Sequence, residues 1–220
     1  MPIMPRPAGD DRAGLPVTAC RLSPRTVATN ARLRYRRAMS YDIRLATEAD
    51  LEQFAEIVNH YIENTTINFH VRPLSEDDWE ATWQVLHERY PFLVATEGDL
   101  VKGIAWASPW KLRGAYDWTA EVSVYVRNGH EGQGIGRDLC SRMLEIMDEQ
   151  GYHAIVAVIA LPNEASVALH QSLGFELGGT LKRLGYKNGQ WRDVSYWQRL
   201  HANADDSAPP PLKLVSEVAG

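Results

Sequence analysis

The sequence has few cysteines and no long apolar run, and both shortages exclude classes of protein. Cys20 and Cys140 are the only cysteines among 220 residues, so neither a disulfide framework nor a cysteine-based metal cluster is expected. No apolar stretch is long enough to span a bilayer, and none has the form of a secretory signal. The sequence therefore predicts a cytoplasmic protein with no membrane partner and no metal.

Positive charge is scarce over most of the chain. The net charge is −5, yet the first 38 residues hold eight Arg, no Lys and only two Asp, a local charge of +6. The remaining residues therefore carry −11, and a domain that acidic is a poor non-specific ligand for nucleic acid. No nucleic-acid partner is expected.

Composition divides the chain into three parts. Residues 1–38 are rich in Pro and Arg and lack apolar periodicity, so three interpretations stay open: a disordered basic arm, an organelle-targeting segment, or sequence translated from a start placed too early. Residues 39–201 form the expected globular domain. Residues 202–220 are polar and then Pro-rich, and we expect a flexible tail there.

Hydrophobic periodicity predicts one α/β domain. Apolar residues recur at helical spacing from Leu51 to Ile62, directly after a capping box at Thr47–Asp50. The predicted strands cover 41–45, 92–96, 101–108, 119–127 and 154–161, and a helix covers 135–150. Asn188-Gly189 favours a type I′ turn in a C-terminal hairpin. We expect a single mixed, mostly antiparallel sheet flanked by helices.

A glycine-rich bend joins the strand at 119–127 to the helix at 135–150. The bend reads Glu131, Gly132, Gln133, Gly134, Ile135 and Gly136. Glycines at a helix N-terminus expose backbone N–H groups, and these groups, with the helix dipole, bind phosphate or pyrophosphate. The alternative is a bend that merely fits a tight connection.

Two common phosphate-binding motifs do not match the bend. A P-loop requires Lys followed by Ser or Thr after its last glycine, but Gly136 is followed by Arg137-Asp138. A dinucleotide fold requires a carboxylate at the end of the next strand, but that strand ends in 159–162, which contains no acid. A pyrophosphate from another coenzyme remains.

The bend and its surroundings resemble the GNAT superfamily of acetyl-coenzyme A-dependent N-acetyltransferases, whose pyrophosphate loop has the form Gln/Arg-x-x-Gly-x-Gly/Ala. Further segments, within roughly residues 41–200, resemble the phosphinothricin acetyltransferase branch. They are Ile57–Glu63, Asn68-Phe69, Glu88–Pro91, Tyr116–Glu121, Val156–Ile159 and Leu161–Asn163. The resemblance implies a GNAT-type acyltransferase fold, acetyl-CoA as co-substrate, a small-molecule amine as substrate and a homodimer.

Acetyl transfer to an amine sets two chemical requirements. The amine attacks a thioester only as the free base, so a proton acceptor is needed, and the thioester oxygen needs a hydrogen-bond donor. On the sequence alone Glu121 is an ordinary solvent-facing strand residue, but the resemblance implies that it is the general base. The resemblance also implies that the backbone of Val124, Tyr125 and Val126 holds the thioester, and that residues 131–136 hold the pyrophosphate.

Two residues after the strand at 154–161 are further candidates. Asn163 is suited to cap the helix that follows, and the resemblance adds contact with the pantetheine arm of the coenzyme; the two roles are compatible. His170 on the sequence alone is an ordinary helix histidine. It stands where the phosphinothricin branch carries His, which implies a role as acid, second base or positioning group.

The amine pocket is predicted from two segments. Lys111, Arg113 and Tyr116 lie in the loop before the strand at 119–127. Two cations beside an aromatic ring suit a carboxylate together with a phosphinate or sulfone oxygen, and a solvated basic loop is the alternative. The resemblance adds Asn68 and Phe69 to the pocket.

The sequence therefore predicts an N-acetyltransferase that moves acetyl directly from acetyl-CoA to the α-amine of a small amino-acid analogue. The resemblance implies phosphinothricin, methionine sulfone and methionine sulfoximine as candidate substrates. Two alternatives stay open: a protein or peptide N-acetyltransferase, and a non-catalytic sensor that binds coenzyme A.

Overall fold

The computed structural model describes residues 41–202, 204 and 207–219. The strands are β1 (Asp42–Leu45), β2 (Phe92–Glu97), β3 (Leu100–Pro109), β4 (Thr119–Val126), β5 (Ala154–Ala160), β6 (Glu176–Lys187) and β7 (Gln190–Leu200). The α-helices are α1 (Leu51–Asn64), α2 (Glu76–Leu86), α3 (Ile135–Gln150), α4 (Glu164–Ser172) and α5 (Val215–Val218). The interpretations of residues 1–38 fall outside the described residues, and the domain boundaries stay predictions.

The strands form one sheet of seven in the order β1-β2-β3-β4-β5-β7-β6. Only β4 and β5 pair in parallel, and every other neighbouring pair is antiparallel. The crossover between the parallel strands is α3, as a parallel connection requires. The predicted mixed, mostly antiparallel sheet flanked by helices is confirmed.

Both faces of the sheet are covered because successive strand side chains point to opposite faces. On β2, Phe92 and Val94 pack with the buried residues of α1 and α2. Leu93 and Ala95 of the same strand pack on the other face with the buried residues of α3. This alternation places α1 and α2 on one side of the sheet and α3 on the other.

Local signals in the sequence account for where elements begin and turn. The Oγ of Ser75 accepts a hydrogen bond from Asp78 N at 3.1 Å, and the Asp78 carboxylate accepts one from Ser75 N at 2.8 Å, which completes the capping box of α2. Asn188 and Gly189 have φ values of +51° and +75°, as a type I′ turn requires. The predicted type I′ turn is confirmed.

The segment after β7 differs from the flexible tail that composition indicates. Val215 in α5 is buried, and its N–H donates to Glu88 O at 2.9 Å. Gln150 Nε2 donates to Lys213 O at 2.9 Å, and Leu212 packs against the core beside α3. A few apolar residues within a Pro-rich stretch therefore dock the chain against α3.

Candidate active site

The site begins where the two parallel strands stop pairing. β4 and β5 pair from Thr119 with Ala154 to Glu121 with Val156, and within the described residues their register extends no further. Beyond this point β4 stays paired with β3 and β5 with β7. The facing edges of β4 and β5 therefore carry backbone groups without a strand partner, which suits an extended ligand.

A cavity of about 470 Å³ lies between the diverging strands. Nine of the ten predicted coenzyme-binding residues line it: Val124, Tyr125, Val126, Glu131, Gly132, Gly134, Ile135, Gly136 and Asn163. The tenth, Gln133, is exposed and is absent from the lining. The fold thus brings β4, the bend and the start of α4 to one space.

The backbone of the bend is shaped to admit a ligand. Gly132 and Gly134 have φ values of +73° and +91°, which L side chains rarely adopt. A Cβ at either position would meet no heavy atom within 4 Å, so open space adjoins both. Gly134 is the N-cap of α3 and makes no side-chain cap. The first N–H groups of α3 therefore remain available, and the residues fit a coenzyme diphosphate.

Glu121 is half-buried at the point of divergence. Burial raises the pKa of its carboxyl above the ordinary value, and the positive charge of Lys111 partly opposes this shift. Glu121 lines a second cavity, of about 420 Å³. The two cavities share Ile67, Ser123, Tyr125, Val158 and Ala160. A carboxylate that can act as a base therefore lies in the second cavity, two residues along β4 from Ser123, which lines both.

The second cavity contains two of the five residues predicted for the amine. Asn68 and Phe69 line it, and Asn68 Nδ2 donates to Tyr125 Oη at 3.1 Å. Burial raises the pKa of Tyr125 above its ordinary value, and the hydrogen bond from Asn68 partly opposes this shift. The phenol is therefore neutral at physiological pH and can only act there as a hydrogen-bonding group.

The other three predicted residues lie outside both cavities. Lys111, Arg113 and Tyr116 are exposed on the loop between β3 and β4. Lys111 Nζ lies 4.2 Å from the centroid of the Trp110 ring, and its charge reaches Glu121. Of these three residues, Lys111 is thus the one that influences a side chain of the amine cavity, Glu121. The roles of all three residues stay predictions.

His170 is almost fully buried in α4, with 3% of its surface exposed, and it lines the first cavity. Its Nδ1 lies 2.8 Å from Ser166 O. A carbonyl oxygen only accepts, so Nδ1 carries the hydrogen and Nε2 keeps a lone pair. Burial lowers the pKa of His170, and the bond to Ser166 partly opposes this. Nε2 is buried without a protein partner in the described part of the chain.

Asn163 is positioned for both of its predicted roles, capping α4 and contacting the coenzyme. Its Oδ1 accepts a hydrogen bond from Ser166 N at 3.2 Å and so caps α4. The same residue lines the first cavity. Its position therefore couples the start of α4 to the coenzyme side of the site.

Two further aromatic residues, Tyr61 and Trp106, line the site. Tyr61 lines the first cavity and donates from Oη to Val126 O at 2.6 Å; burial and the charge of Glu131 raise its pKa to about 12. Trp106 lines the second cavity and stacks on Tyr125 with centroids 5.7 Å apart. Tyr61 continues the apolar stripe of α1, so periodicity alone assigns it to the core.

The comparisons with known proteins agree with this geometry. Residues 43–196 match the family described as acetyltransferase (GNAT) domain. The chain belongs to this family and is an N-acetyltransferase.

Individual relatives show which members of the family this chain is similar to. A phosphinothricin N-acetyltransferase of Streptomyces viridochromogenes is 46% identical over 178 residues, which cover 80% of this chain and 96% of the relative. An L-methionine sulfoximine/L-methionine sulfone acetyltransferase of Salmonella typhimurium is 36% identical, with coverage of 76% and 97%. The solved structure of a phosphinothricin acetyltransferase from Sinorhizobium meliloti in complex with AcCoA has a TM-score of 0.74 and 33% identity, with coverage of 78% and 94%.

Four further predictions concern partners and location. No helix in the described residues has the length and hydropathy of a membrane span. Within the same residues, His, Cys, Asp and Glu side chains nowhere gather in a group of three that could hold a metal ion. The cytoplasmic location and the lack of nucleic-acid, membrane and metal partners stay predictions from sequence.

Proposed function

We propose that the chain transfers acetyl from acetyl-CoA directly to the α-amine of a small amino-acid analogue of the phosphinothricin, methionine sulfone and methionine sulfoximine class. One observation supports the proposal: two adjoining cavities share Ser123 of β4, one of them contains the partly buried carboxylate of Glu121, and the other ends at a helix N-terminus without a side-chain cap. The substrates named for the relatives supply the chemical class of the amine.

The coenzyme side relies on backbone groups. When bound, acetyl-CoA supplies a thioester whose acyl carbon accepts the amine. Gly132, Gly134 and the first turn of α3 hold the diphosphate through N–H groups. Val124 to Val126 hold the extended arm along the free edge of β4, and the amide of Asn163 adds a polar contact at the start of α4.

Glu121 acts as the general base. Its raised pKa brings the carboxyl closer to the pKa of a general base that works near neutral pH. It takes a proton from the ammonium group of the substrate, directly or through a water, and leaves the free amine. The amine nitrogen bonds to the acyl carbon while the thioester C–S bond breaks, and coenzyme A leaves as a thiolate that takes up the proton released from the nitrogen. The carboxyl must be ionised to do so, so the rate falls as pH drops through this pKa.

His170 acts as a hydrogen-bond acceptor. Its Nε2 is buried, keeps a lone pair and has no hydrogen-bond partner in the described part of the chain, and burial disfavours the imidazolium that an acid would need. Of the three roles left open by the sequence, second base or positioning group fits this tautomer, and acid does not.

The loop cations bind the acidic end of the substrate. Lys111 and Arg113, with Tyr116, offer charge and donors for a carboxylate and for a phosphinate or sulfone oxygen. The charge of Lys111 lowers the pKa of Glu121, which supports a place for this residue near the amine cavity.

We also propose a homodimer through the β6–β7 hairpin. β6 is an edge strand of the sheet, and six large apolar side chains of the hairpin are 48% to 59% exposed. They are Leu177, Leu181, Leu184, Tyr186, Trp191 and Leu200. An exposed apolar edge favours association, and a second copy covers it. Light scattering tests this: Leu181→Lys gives a monomer, whereas Val85→Lys, at a more exposed site on α2, leaves the dimer intact.

A thiol-release assay tests the activity. The protein is incubated with acetyl-CoA and a panel of the three analogues, ordinary amino acids and peptides, and free thiol is followed with mass analysis of the product. N-acetylated analogues are expected. Tight coenzyme binding without release of thiol from any amine identifies a sensor, and release with peptides alone identifies a peptide acetyltransferase; either result overturns the proposal.

A further inference from the structure

The segment 65–71, which carries Asn68 and Phe69, has no helix or strand of its own. It connects α1 to the stretch before α2, so its position depends on contacts with other elements. Two of these contacts come from the end of β6, far along the chain. They are made by Lys187 and Gly185.

Lys187 joins the segment to the end of α1. The side chain is only 6% exposed, and its Nζ donates to Ile62 O at 2.6 Å and to Asn68 O at 2.7 Å. Both of these acceptors are backbone carbonyls. Burial lowers the pKa of Lys187, and the two charge-assisted hydrogen bonds offset the cost of that burial. The lysine therefore acts as a cross-link between main-chain segments.

Gly185 provides the surface on which Phe69 lies. A Cβ at this position would lie 2.7 Å from Phe69 Cδ2, closer than real Cβ contacts come. Its φ lies outside the left-handed region, so the glycine is needed for space and not for backbone conformation. By contrast, a Cβ at Gly179 of the same strand would meet nothing within 4 Å.

We propose that Gly185 and Lys187 form a latch, the β6 latch, that positions segment 65–71 and thereby sets which amines the enzyme accepts. The inference rests on the proposed function, since Asn68 and Phe69 are assigned there to the amine. Neither latch residue lines the coenzyme cavity. They are positioning residues, acting through the Phe69 ring and through Asn68, which holds Tyr125 Oη.

Matched pairs of variants test the latch. Gly185→Ala is compared with Gly179→Ala, and Lys187→Met with Lys182→Met, which removes an exposed lysine of the same strand. For each, kcat and KM are measured with phosphinothricin, methionine sulfone and methionine sulfoximine, and the dissociation constant of coenzyme A by calorimetry. Light scattering confirms that all variants share the wild-type oligomeric state.

The latch predicts a change that is largest for the amine. KM rises about tenfold in both latch variants, by amounts that differ among the three amines, as expected for overpacking or loss of one buried contact. Coenzyme affinity changes by much less, although Ile67 and Tyr125 also line the coenzyme cavity, and the two control variants stay at wild-type values. Equal KM changes in Gly185→Ala and Gly179→Ala, or a parallel loss of coenzyme affinity, overturn the inference. If Lys187→Met does not fold, the glycine pair decides.

Hydrogen exchange separates this inference from the proposed function. Peptides covering 65–71 exchange faster in both latch variants than in their controls, whether or not any amine is acetylated. Unchanged exchange overturns the latch even in an active enzyme. A wild-type protein that acetylates none of the three analogues overturns the proposed function, and exchange in 65–71 then decides whether β6 holds the segment.

Discussion

The two sides of the site are built in different ways. The coenzyme side consists of regular elements that present backbone groups: the free edge of β4, the glycine bend and the first turn of α3. The amine cavity is lined by side chains of the irregular segment 65–71 together with residues of β3, β4, β5 and β7. A backbone site tolerates most side-chain changes and fails on steric intrusion, whereas a side-chain site can be retuned by single substitutions.

The largest effect is expected at the junction of the two sides. Glu121→Gln keeps the shape of the side chain and removes the proton acceptor, so kcat/KM near neutral pH falls by about 10²-fold or more. Coenzyme affinity stays near the wild-type value because the change lies on the amine side. Steady-state kinetics and calorimetry measure the two. Glu176→Gln, at an exposed position of β6, is the control. Unchanged turnover in Glu121→Gln would show that Glu121 is not the base.

The second effect tests the backbone character of the coenzyme side. Gly134→Val places a branched side chain at φ +91° in the space that adjoins the bend, and we expect coenzyme affinity to fall about 10- to 100-fold, on the scale of one or two lost charge-assisted contacts. Gly98→Val is the matched control, since Gly98 also has a positive φ and open space but lies on the β2–β3 turn. Similar losses of coenzyme affinity in both variants would mean that backbone strain alone causes the effect.

A smaller effect is expected from the acceptor on α4. His170→Phe fills the same space beside Phe175 and removes the Nε2 lone pair, so kcat/KM falls about tenfold, the size of one lost polar contact. The acid limb of the pH profile stays in place because that limb belongs to Glu121. Retained activity in His170→Phe contradicts an acceptor role.

The smallest effect is expected in the pH dependence of kcat/KM, whose acid limb shifts. Lys111→Met removes a positive charge that lowers the pKa of Glu121, so this pKa rises further. Because Glu121 must be ionised to act, the acid limb of kcat/KM moves to higher pH. A pH profile of kcat/KM, which reports the free enzyme, checks the direction. A limb that stays in place or moves to lower pH contradicts the placement of Lys111 beside the base.

The same contrast explains what could be predicted from sequence. Local patterns predict the bend, its helix and the strand before it, because glycine spacing and apolar periodicity involve neighbouring residues. The positions of Gly132 and Gly134 in the cavity follow from those patterns. Gln133 does not line the cavity, since its neighbours' left-handed turns leave its side chain in solvent.

The amine side depends on contacts that no local pattern encodes. Phe69 meets Gly185, and Asn68 meets Lys187, across more than a hundred residues. The tautomer of His170 likewise follows from a carbonyl that only the folded helix brings near. The docking of the segment after β7 was missed for a similar reason, because its partners lie on α3 and before β2.

A crystal structure with coenzyme A and an amine analogue tests the central claim most directly. The account predicts diphosphate oxygens within hydrogen-bonding distance of the N–H groups at the start of α3, the sulfur between β4 and β5, and the Glu121 carboxylate within reach of the amine, directly or through one water. A diphosphate bound elsewhere, or a Glu121 carboxylate turned into bulk solvent away from the sulfur, would contradict it.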